Sequence, residues 1–329
     1  MRYKHLNSAN TDVSVLGVGT WALGNFGYGE VTEQDSVEAI RVMLDRGVNL
    51  IDTAPVYGEG HSEEVVGRAL KGLDRSKLLI SSKFGIGSTT MRQMRCPEAD
   101  TPRDGSFANV LYECEQSLRR LGTDYIDFYF VHWPDYDTPL AETMEALKVL
   151  KRQGKIRFIG VSNFSREQIL EGEKFARIDV IQPPFSMVVR RDRELMKWAK
   201  EKGIDSITYG SLGAGILTGA FRTPPIFGDS DPRSGFYPFF KEPHFSKVLK
   251  VLEVMDKISA QTGRPLAQIA LNWTVQQDFV DTALCGVRST TEAQENCATF
   301  DWALTEEQMA ELNEAVEAHL DFDGAAPMQ

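Results

Sequence analysis

The chain has 329 residues, of which 42% are hydrophobic and 25% charged, a composition typical of a globular protein with ample material for a core. Its net charge of −11 disfavours nucleic acid and anionic membranes as partners, because polyanion binding needs a positive surface. No run of about 18 apolar residues could span a bilayer, and residues 1–5 carry no apolar signal-peptide core.

Cysteine and histidine usage indicates the compartment and argues against a metal. The four cysteines show neither CxxC spacing nor a disulfide framework, so we expect a cytoplasmic protein in a reducing environment. The five histidines are scattered and no HExxH occurs, so we predict no metal site.

Short β-branched or aromatic runs alternate with longer amphipathic segments along the chain. A hairpin is predicted first, with strands at residues 3–6 and 12–15. Eight further strands are predicted at residues 15–18, 49–52, 78–82, 126–131, 158–161, 180–182, 204–209 and 282–285. Helical segments are predicted at residues 32–46, 62–70, 107–121, 140–153, 165–175, 192–201, 244–262 and 265–277.

This alternation predicts a parallel sheet, because a strand that runs parallel to its predecessor needs a crossover connection. Eight units without a composition break at mid-chain favour one closed (β/α)8 barrel, a single domain over residues 1–329, instead of two doubly wound domains. Long loops are expected after the third and seventh barrel strands, at residues 85–106 and 212–243. Loops of that length are usually functional or mobile.

The stretch GVGTWA at residues 17–22 fits the dinucleotide-binding pattern GxGxxG/A loosely. That pattern also needs an acidic residue at the end of the second strand, about 20 residues further on. The next predicted strand ends at Asp52, 33 residues beyond Gly19, and the helix begins late. We therefore interpret the stretch as part of the barrel.

Four residues that can exchange protons fall at or just after the carboxyl ends of predicted strands: Asp52, Tyr57, Lys83 and His132. Each alone has a structural interpretation, as a turn, a solvated lysine or a surface histidine. In a (β/α)8 barrel these strand ends share one face, which favours a connected proton-transfer set. A neighbouring Lys83, held by Asp52, is expected to lower the pKa of Tyr57 from about 10. The set predicts proton donation to an oxygen.

The motifs DTAPVYGEGHSE, LLISSKF, YIDFYFVHWPD and GKIRFIGVSNFS resemble the signatures of the aldo-keto reductases over almost the full chain. IQPPFSMVVR, YGSLGAGILTG and ALCGVR are similar to bacterial stress-type and sugar-aldehyde members. The resemblance implies a catalytic tetrad of Asp52, Tyr57, Lys83 and His132, with Tyr57 as general acid. It also implies direct hydride transfer from a nicotinamide cofactor, and a monomer.

The resemblance further implies residues that contact ligands. Ser162, Asn163 and Gln182 would fix the nicotinamide carboxamide, and Tyr209 would stack on its ring. The implied cofactor-binding residues are Gly19, Thr20, Trp21, Asp52, Ser162, Asn163, Gln182, Tyr209, Gly210, Ser211, Leu212, Gly213, Gly215, Leu217, Gly219, Gly286, Arg288, Ser289, Glu292, Glu295 and Asn296. The implied substrate pocket comprises Trp21, Tyr57, His132 and Trp133.

The stretch GVRSTTEAQEN at residues 286–296 resembles the family's adenosine-phosphate loop. Arg288 is the candidate for the 2′-phosphate of NADP, because guanidinium pairs well with phosphate oxygens. Glu292 stands where many members have Arg or Gln, and Gly286 and Val287 replace a Lys-Ser pair found in many NADPH-specific relatives. We predict that NADP(H) is preferred and that NAD(H) use is possible.

The predicted function is reduction of aldehydes, small carbonyls or open-chain sugars to alcohols. One alternative is an NAD(P)-dependent sugar or polyol dehydrogenase acting in the oxidative direction with the same residues. A remote alternative is a cofactor-binding regulatory subunit, as in potassium channels, which a long basic or hydrophobic N-terminal extension would have favoured.

Overall fold

The computed structural model describes residues 1–24, 32–96, 103–228, 231 and 233–324. Parts of both predicted long loops lie outside the described residues. The strands are β1 (Tyr3–Leu6), β2 (Thr11–Ser14), β3 (Leu16–Gly19), β4 (Leu50–Asp52), β5 (Leu79–Phe84), β6 (Ile126–Val131), β7 (Ile156–Ser162), β8 (Val180–Gln182), β9 (Asp205–Thr208) and β10 (Thr282–Gly286).

The helices lie mostly between consecutive barrel strands. They are α1 (Glu33–Asp45), α2 (His61–Leu70), α3 (Met91–Arg95), α4 (Phe107–Leu121), α5 (Leu140–Arg152), α6 (Arg166–Glu173), α7 (Arg193–Glu201), α8 (Arg233–Phe236), α9 (His244–Thr262), α10 (Leu266–Val275), α11 (Thr290–Ala298) and α12 (Glu306–His319). Among the described helices, none is long and apolar enough to cross a bilayer.

Strands β3 to β10 pair in chain order, and β10 returns to β3 to close a parallel barrel. Strands β1 and β2 form a separate antiparallel hairpin. The predicted (β/α)8 barrel with its N-terminal hairpin is therefore confirmed. Helix boundaries follow local capping: Ser106 caps α4 through the Asn109 N–H, and Gly122 ends it in a left-handed conformation.

The structure differs from the predicted elements at the C-terminal end of the chain. Residues 286–296, predicted as a loop, contain the first part of α11, which Ser289 caps through the Glu292 N–H. Helix α12 also falls outside the predicted segments. The apolar residues of helix α11 are Ala293, Cys297 and Ala298. Its hydrophobic periodicity is therefore weak.

Alternate residues of each strand face the barrel interior. Leu50, Leu79, Phe128, Val180 and Ile207 pack together there as an inner apolar layer. The next inward-facing residue of a strand lies one layer nearer the carboxyl ends. Asp52, Ser81, Gln182 and Tyr209 stand two positions after members of that layer, and His132 stands four positions after Phe128, so all five lie on the mouth side.

The N-terminal hairpin closes the opposite end of the barrel. Leu6 and Val13 join the inner apolar cluster from below. The Asp205 carboxylate at the start of β9 accepts hydrogen bonds from the backbone N–H groups of Asn7 (3.1 Å) and Ser8 (2.9 Å). The barrel interior is thus sealed at one end, and polar groups are concentrated at the other.

Candidate active site

A buried ion pair lies at the centre of the barrel mouth. Lys83 Nζ donates to Asp52 Oδ2 at 2.8 Å, and the two side chains are 1% and 4% exposed. Lys83 Nζ also donates to the Thr53 carbonyl (3.0 Å) and to the Tyr57 hydroxyl (3.3 Å). Burial lowers the pKa of Lys83, but the attraction of Asp52 and Tyr57 outweighs it, so the pKa is raised and the lysine is an ammonium.

The second oxygen of Asp52 is held by two further side chains. Ser81 Oγ donates to Asp52 Oδ1 at 2.6 Å, and Gln182 Nε2 donates to the same oxygen at 2.8 Å. Ser81 was not among the predicted site residues. It lies two positions before Lys83 on β5, so the period of two in a strand is the signal that could have identified it.

Tyr57 stands on the loop after β4, where two glycines meet. Gly58 has a left-handed backbone (φ +65°), and a Cβ on it would lie 2.6 Å from the Gly24 carbonyl oxygen. Only glycine fits this close approach, which packs the Tyr57 loop against the turn after β3. This packing fixes the backbone of the loop next to Tyr57, whose hydroxyl accepts a hydrogen bond from Lys83.

Burial is the largest influence on the Tyr57 phenol and raises its pKa. The Lys83 ammonium lowers that pKa and the Asp52 carboxylate raises it, and the net direction is upward. The predicted lowering influence of Lys83 is therefore present, but the expectation of a net decrease in the pKa of Tyr57 is wrong, because burial outweighs the lysine. The hydroxyl is protonated at neutral pH.

His132 follows β6 and faces Tyr57. The two rings meet edge to face with their centres 6.0 Å apart. Burial and the nearby Lys83 ammonium hold the pKa of His132 well below its usual range, so the imidazole is neutral. Its Nδ1 atom is buried without a hydrogen-bond partner. The next residue, Trp133, has the Arg103 guanidinium 5.2 Å from its ring centre.

Amide and aromatic side chains line the barrel mouth at the ends of β7 to β9. Asn163, in a left-handed conformation (φ +60°), donates to the His132 carbonyl at 3.0 Å. The Tyr209 hydroxyl donates to Asn163 Oδ1 at 2.8 Å, and Ser162 Oγ donates to the Gln182 carbonyl at 2.8 Å. The structure thus brings Ser162, Asn163, Gln182 and Tyr209 together.

The loop after Tyr209 is built on left-handed residues. They are Gly210, Gly213, Ala214, Gly215 and Gly219, and a 3₁₀ turn spans Gly213–Thr218. Ser211 Oγ donates to the Leu284 carbonyl at 3.2 Å, which fastens the start of the loop to β10. The Leu217 side chain is buried in the core, and Leu212 packs against that core.

Arg288 and Glu292 pair at the N-terminus of α11. Arg288 Nη2 donates to Glu292 Oε1 at 2.6 Å, and the Arg288 backbone N–H donates to Glu292 Oε2 at 2.8 Å. Asn296 is buried and donates to the Gly286 carbonyl at 3.2 Å, while Glu295 is exposed. The Arg288 guanidinium, which is predicted to bind a 2′-phosphate, is therefore already paired with the Glu292 carboxylate.

Residues at the end of β3 contact the backbone of Asp52 on β4. Gly19 pairs with Asp52 in the barrel, and Thr20 Oγ1 donates to the Asp52 carbonyl at 2.9 Å. Trp21, at the start of the following 3₁₀ turn, is 39% exposed. Ser82, next to Lys83 on β5, faces outward and donates to Glu63 Oε1 at 2.6 Å.

Within the described residues, no group of three or more His, Cys, Asp or Glu side chains is arranged to hold a metal ion. The barrel mouth does contain groups that can exchange protons. A protonated phenol, a buried ammonium and a neutral imidazole converge there. Such a set can hand a proton to an oxygen that lies against Tyr57 and His132.

Comparisons with known proteins agree with this geometry. The sequence model of the Aldo/keto reductase family matches residues 15–317. The chain is 36% identical over 320 residues to the aldo-keto reductase YhdN of Bacillus subtilis (strain 168), which covers 96% of this chain and 94% of that protein. It is 31% identical over 321 residues to the NADH-specific methylglyoxal reductase of Escherichia coli (strain K12), covering 95% and 98%.

A solved structure shares the whole architecture. The glycerol dehydrogenase AKR11B4 from Gluconobacter oxydans superposes with a TM-score of 0.85 at 33% identity, covering 99% of this chain and 98% of that one. The resemblance inferred from the sequence motifs is therefore confirmed. The barrel and the family match over most of the chain lead to one conclusion: it belongs to the aldo/keto reductase family, oxidoreductases that use nicotinamide cofactors.

Proposed function

We propose that the protein reduces aldehydes, small carbonyl compounds or open-chain sugars to alcohols, with Tyr57 as the proton donor. The observation that carries the proposal is the hydrogen-bonded series from Asp52 through Lys83 to the Tyr57 hydroxyl. A substrate oxygen between Tyr57 and the neutral His132 would receive the phenol proton while His132 donates a hydrogen bond to it. Lys83 stabilises the phenolate that remains, because its ammonium lies 3.3 Å away.

The residues at the other side of the mouth fit a nicotinamide dinucleotide. A Cβ on Gly210 or Gly286 would meet no atom within 4 Å, so there is open space above β9 and β10. The amide groups of Asn163 and Gln182 stand at the carboxyl ends of β7 and β8, and the Arg288 cation stands just before α11. When bound, the cofactor supplies the hydride for the carbonyl carbon. We assign carboxamide binding to Asn163 and Gln182.

The pH dependence of each reaction direction follows from the state of Tyr57. Because burial raises the pKa of Tyr57, the phenol is ready to give a proton at neutral pH, whereas alcohol oxidation needs the phenolate. We expect the kcat/KM for aldehyde reduction to stay constant through neutral pH and to fall only in the alkaline range. The rate of alcohol oxidation should rise with pH over the same range.

Initial rates in both directions from about pH 6 to about pH 11 test this dependence, because the raised pKa of Tyr57 places its titration above the ordinary range of a phenol. A Tyr57→Phe variant is the control, because the limb that belongs to this phenol must disappear with it. If the reduction rate falls below neutral pH and this fall disappears in Tyr57→Phe, the assignment of Tyr57 as the proton donor is contradicted.

Oxidation of sugars or polyols is the second candidate function, favoured by the similarity to the glycerol dehydrogenase from Gluconobacter oxydans. Both functions use the same residues, so turnover decides between them. If glycerol or a sugar alcohol is oxidised faster at neutral pH than methylglyoxal or glyceraldehyde is reduced, the oxidative function replaces the proposed one.

We propose NADPH as the preferred cofactor and NADH as an accepted one, with Arg288 and Glu292 setting the balance. Arg288 must leave Glu292 to bind a 2′-phosphate, and the carboxylate repels that phosphate. The pair is partly exposed, at 45% and 33%, so solvent weakens both effects. The similar methylglyoxal reductase of Escherichia coli is described as NADH-specific, so NADH use occurs among similar proteins.

Two substitutions are expected to move this balance in opposite directions. Arg288→Ala should weaken NADPH binding about tenfold or more, because a charge-assisted contact of roughly 1.5–3 kcal/mol is lost. Glu292→Gln should strengthen NADPH binding about fivefold, because it removes the repulsion and releases Arg288. Fluorescence titration measures both, and NADH, which lacks the 2′-phosphate, is the matched control. Equal changes for both cofactors would overturn the role given to this pair.

A further inference from the structure

Two adjacent serines of β5 have almost identical surroundings but face opposite sides of the barrel wall. Ser81 and Ser82 are both fully buried. Ser81 Oγ donates to Asp52 Oδ1 at 2.6 Å, inside the barrel mouth. Ser82 Oγ donates at the same 2.6 Å to Oε1 of Glu63, a residue outside the barrel whose Oε2 accepts from Arg120 Nε.

We infer that Ser81 is a positioning residue of the proton-donating set, acting through Asp52; the inference rests on the proposed function. The Asp52 carboxylate has two oxygens with different tasks. Oδ2 binds the Lys83 ammonium, whereas Oδ1 accepts from the side chains of Ser81 and Gln182. Two donors on Oδ1 fix the plane of the carboxylate, so Oδ2 stays directed at Lys83.

The consequence for the reaction passes through Lys83. Its Nζ atom is shared among Asp52 Oδ2, the Thr53 carbonyl and the Tyr57 hydroxyl. Beside the phenol, the Lys83 ammonium stabilises the negative charge that develops on Tyr57 during proton transfer. If the Asp52 carboxylate turned, the ammonium could move away from the phenol and this stabilisation would be lost. Ser81 itself contacts no reacting atom in this scheme.

Gln182 alone cannot supply the same constraint. Its amide donates to Asp52 Oδ1 from β8, and the proposed function also assigns it to the cofactor carboxamide. A hydroxyl on β5 has a different advantage, because Ser81 pairs directly with Asp52 in the barrel register. Ser81 is therefore the donor whose position is fixed by the sheet itself.

The test compares Ser81→Ala with Ser82→Ala as a matched control. Both remove one hydroxyl and one 2.6 Å hydrogen bond to a buried carboxylate, so their losses of thermal stability should be similar. Ser81→Ala should lower the single-turnover rate of aldehyde reduction about tenfold or more, with KM and cofactor affinity changed less than about twofold. Ser82→Ala should leave that rate within about twofold of wild type. Equal rates in the two variants would overturn the inference.

A double-mutant cycle shows whether Ser81 acts through Asp52. In an Asp52→Asn background, Ser81→Ala should cause less than about a twofold further loss of rate, because the carboxylate it positions is gone. The full tenfold loss in that background would overturn the inference.

The same cycle measured by urea unfolding keeps the inference testable without turnover. Non-additive effects of Ser81→Ala and Asp52→Asn on the free energy of unfolding support the predicted coupling, and additive effects overturn it. A wild type that reduces no aldehyde and oxidises no alcohol would refute the proposed function alone, since the unfolding cycle does not depend on it.

Discussion

Replacing Tyr57 with phenylalanine is expected to lower the kcat for aldehyde reduction by about a thousandfold, because general acid catalysis contributes roughly 10²–10⁴. The variant keeps the ring that meets His132 edge to face and lies over the Lys83 ammonium, and removes only the hydroxyl. Cofactor affinity, measured by fluorescence titration, should therefore stay close to that of wild type. Stopped-flow measurement of cofactor oxidation gives the rate.

A second tyrosine provides the matched control for this substitution. Tyr129 on β6 is fully buried, and its hydroxyl has no hydrogen-bond partner. Tyr129→Phe should leave kcat unchanged and keep or slightly raise the melting temperature, because the buried hydroxyl gains nothing from its surroundings. If Tyr57→Phe retains more than about a tenth of the wild-type rate, Tyr57 is not the proton donor.

The Lys83→Met substitution is expected to affect stability and activity together. It leaves Asp52 as a buried carboxylate without its cation, which typically lowers the free energy of unfolding by about 3–5 kcal/mol. Reduction should fall by about a hundredfold or more, because the phenolate loses its nearest positive charge. Urea unfolding and single-turnover kinetics measure the two effects separately.

The double variant Asp52→Asn with Lys83→Met separates charge burial from chemistry. It removes both charges, so stability should recover by a large part of the loss while activity stays low. Lys151→Met is the control at the other end of the barrel, where the lysine pairs with the buried Asp179 but is itself 41% exposed. That variant should lose no more than about 1 kcal/mol and keep its kcat. A double variant that regains activity would exclude a role for the ion pair in catalysis.

The barrel could be predicted because its sequence pattern is local. Each barrel strand is a short apolar run, and each catalytic candidate follows such a run by a few residues, so chain order alone placed Asp52, Lys83 and His132 on one face. Helix α11 escaped prediction because TTEAQENCA lacks an apolar face, and its first turn depends on the Ser289 cap instead.

Contacts between distant strands could not be predicted in the same way. Gln182 donates to Asp52 across 130 residues of sequence, and this bond exists only once the barrel has closed. The direction of the Tyr57 pKa shift depends on how deeply the phenol is buried, which a motif does not encode. The pairing of Arg288 with Glu292 likewise depends on the first turn of α11, which the motif did not indicate.

The barrel mouth is divided into two arcs. Asp52, Lys83 and His132 stand on or after β4 to β6, whereas most of the candidate cofactor groups stand on or after β7 to β10. Hydrogen bonds from Gln182 to Asp52 and from Asn163 to the His132 carbonyl join the arcs. On the proposed function, substitutions at Arg288 and Glu292 would change the cofactor preference without replacing any acid–base residue. Substitutions at Gln182 or Asn163 would instead disturb the contacts that join the two arcs.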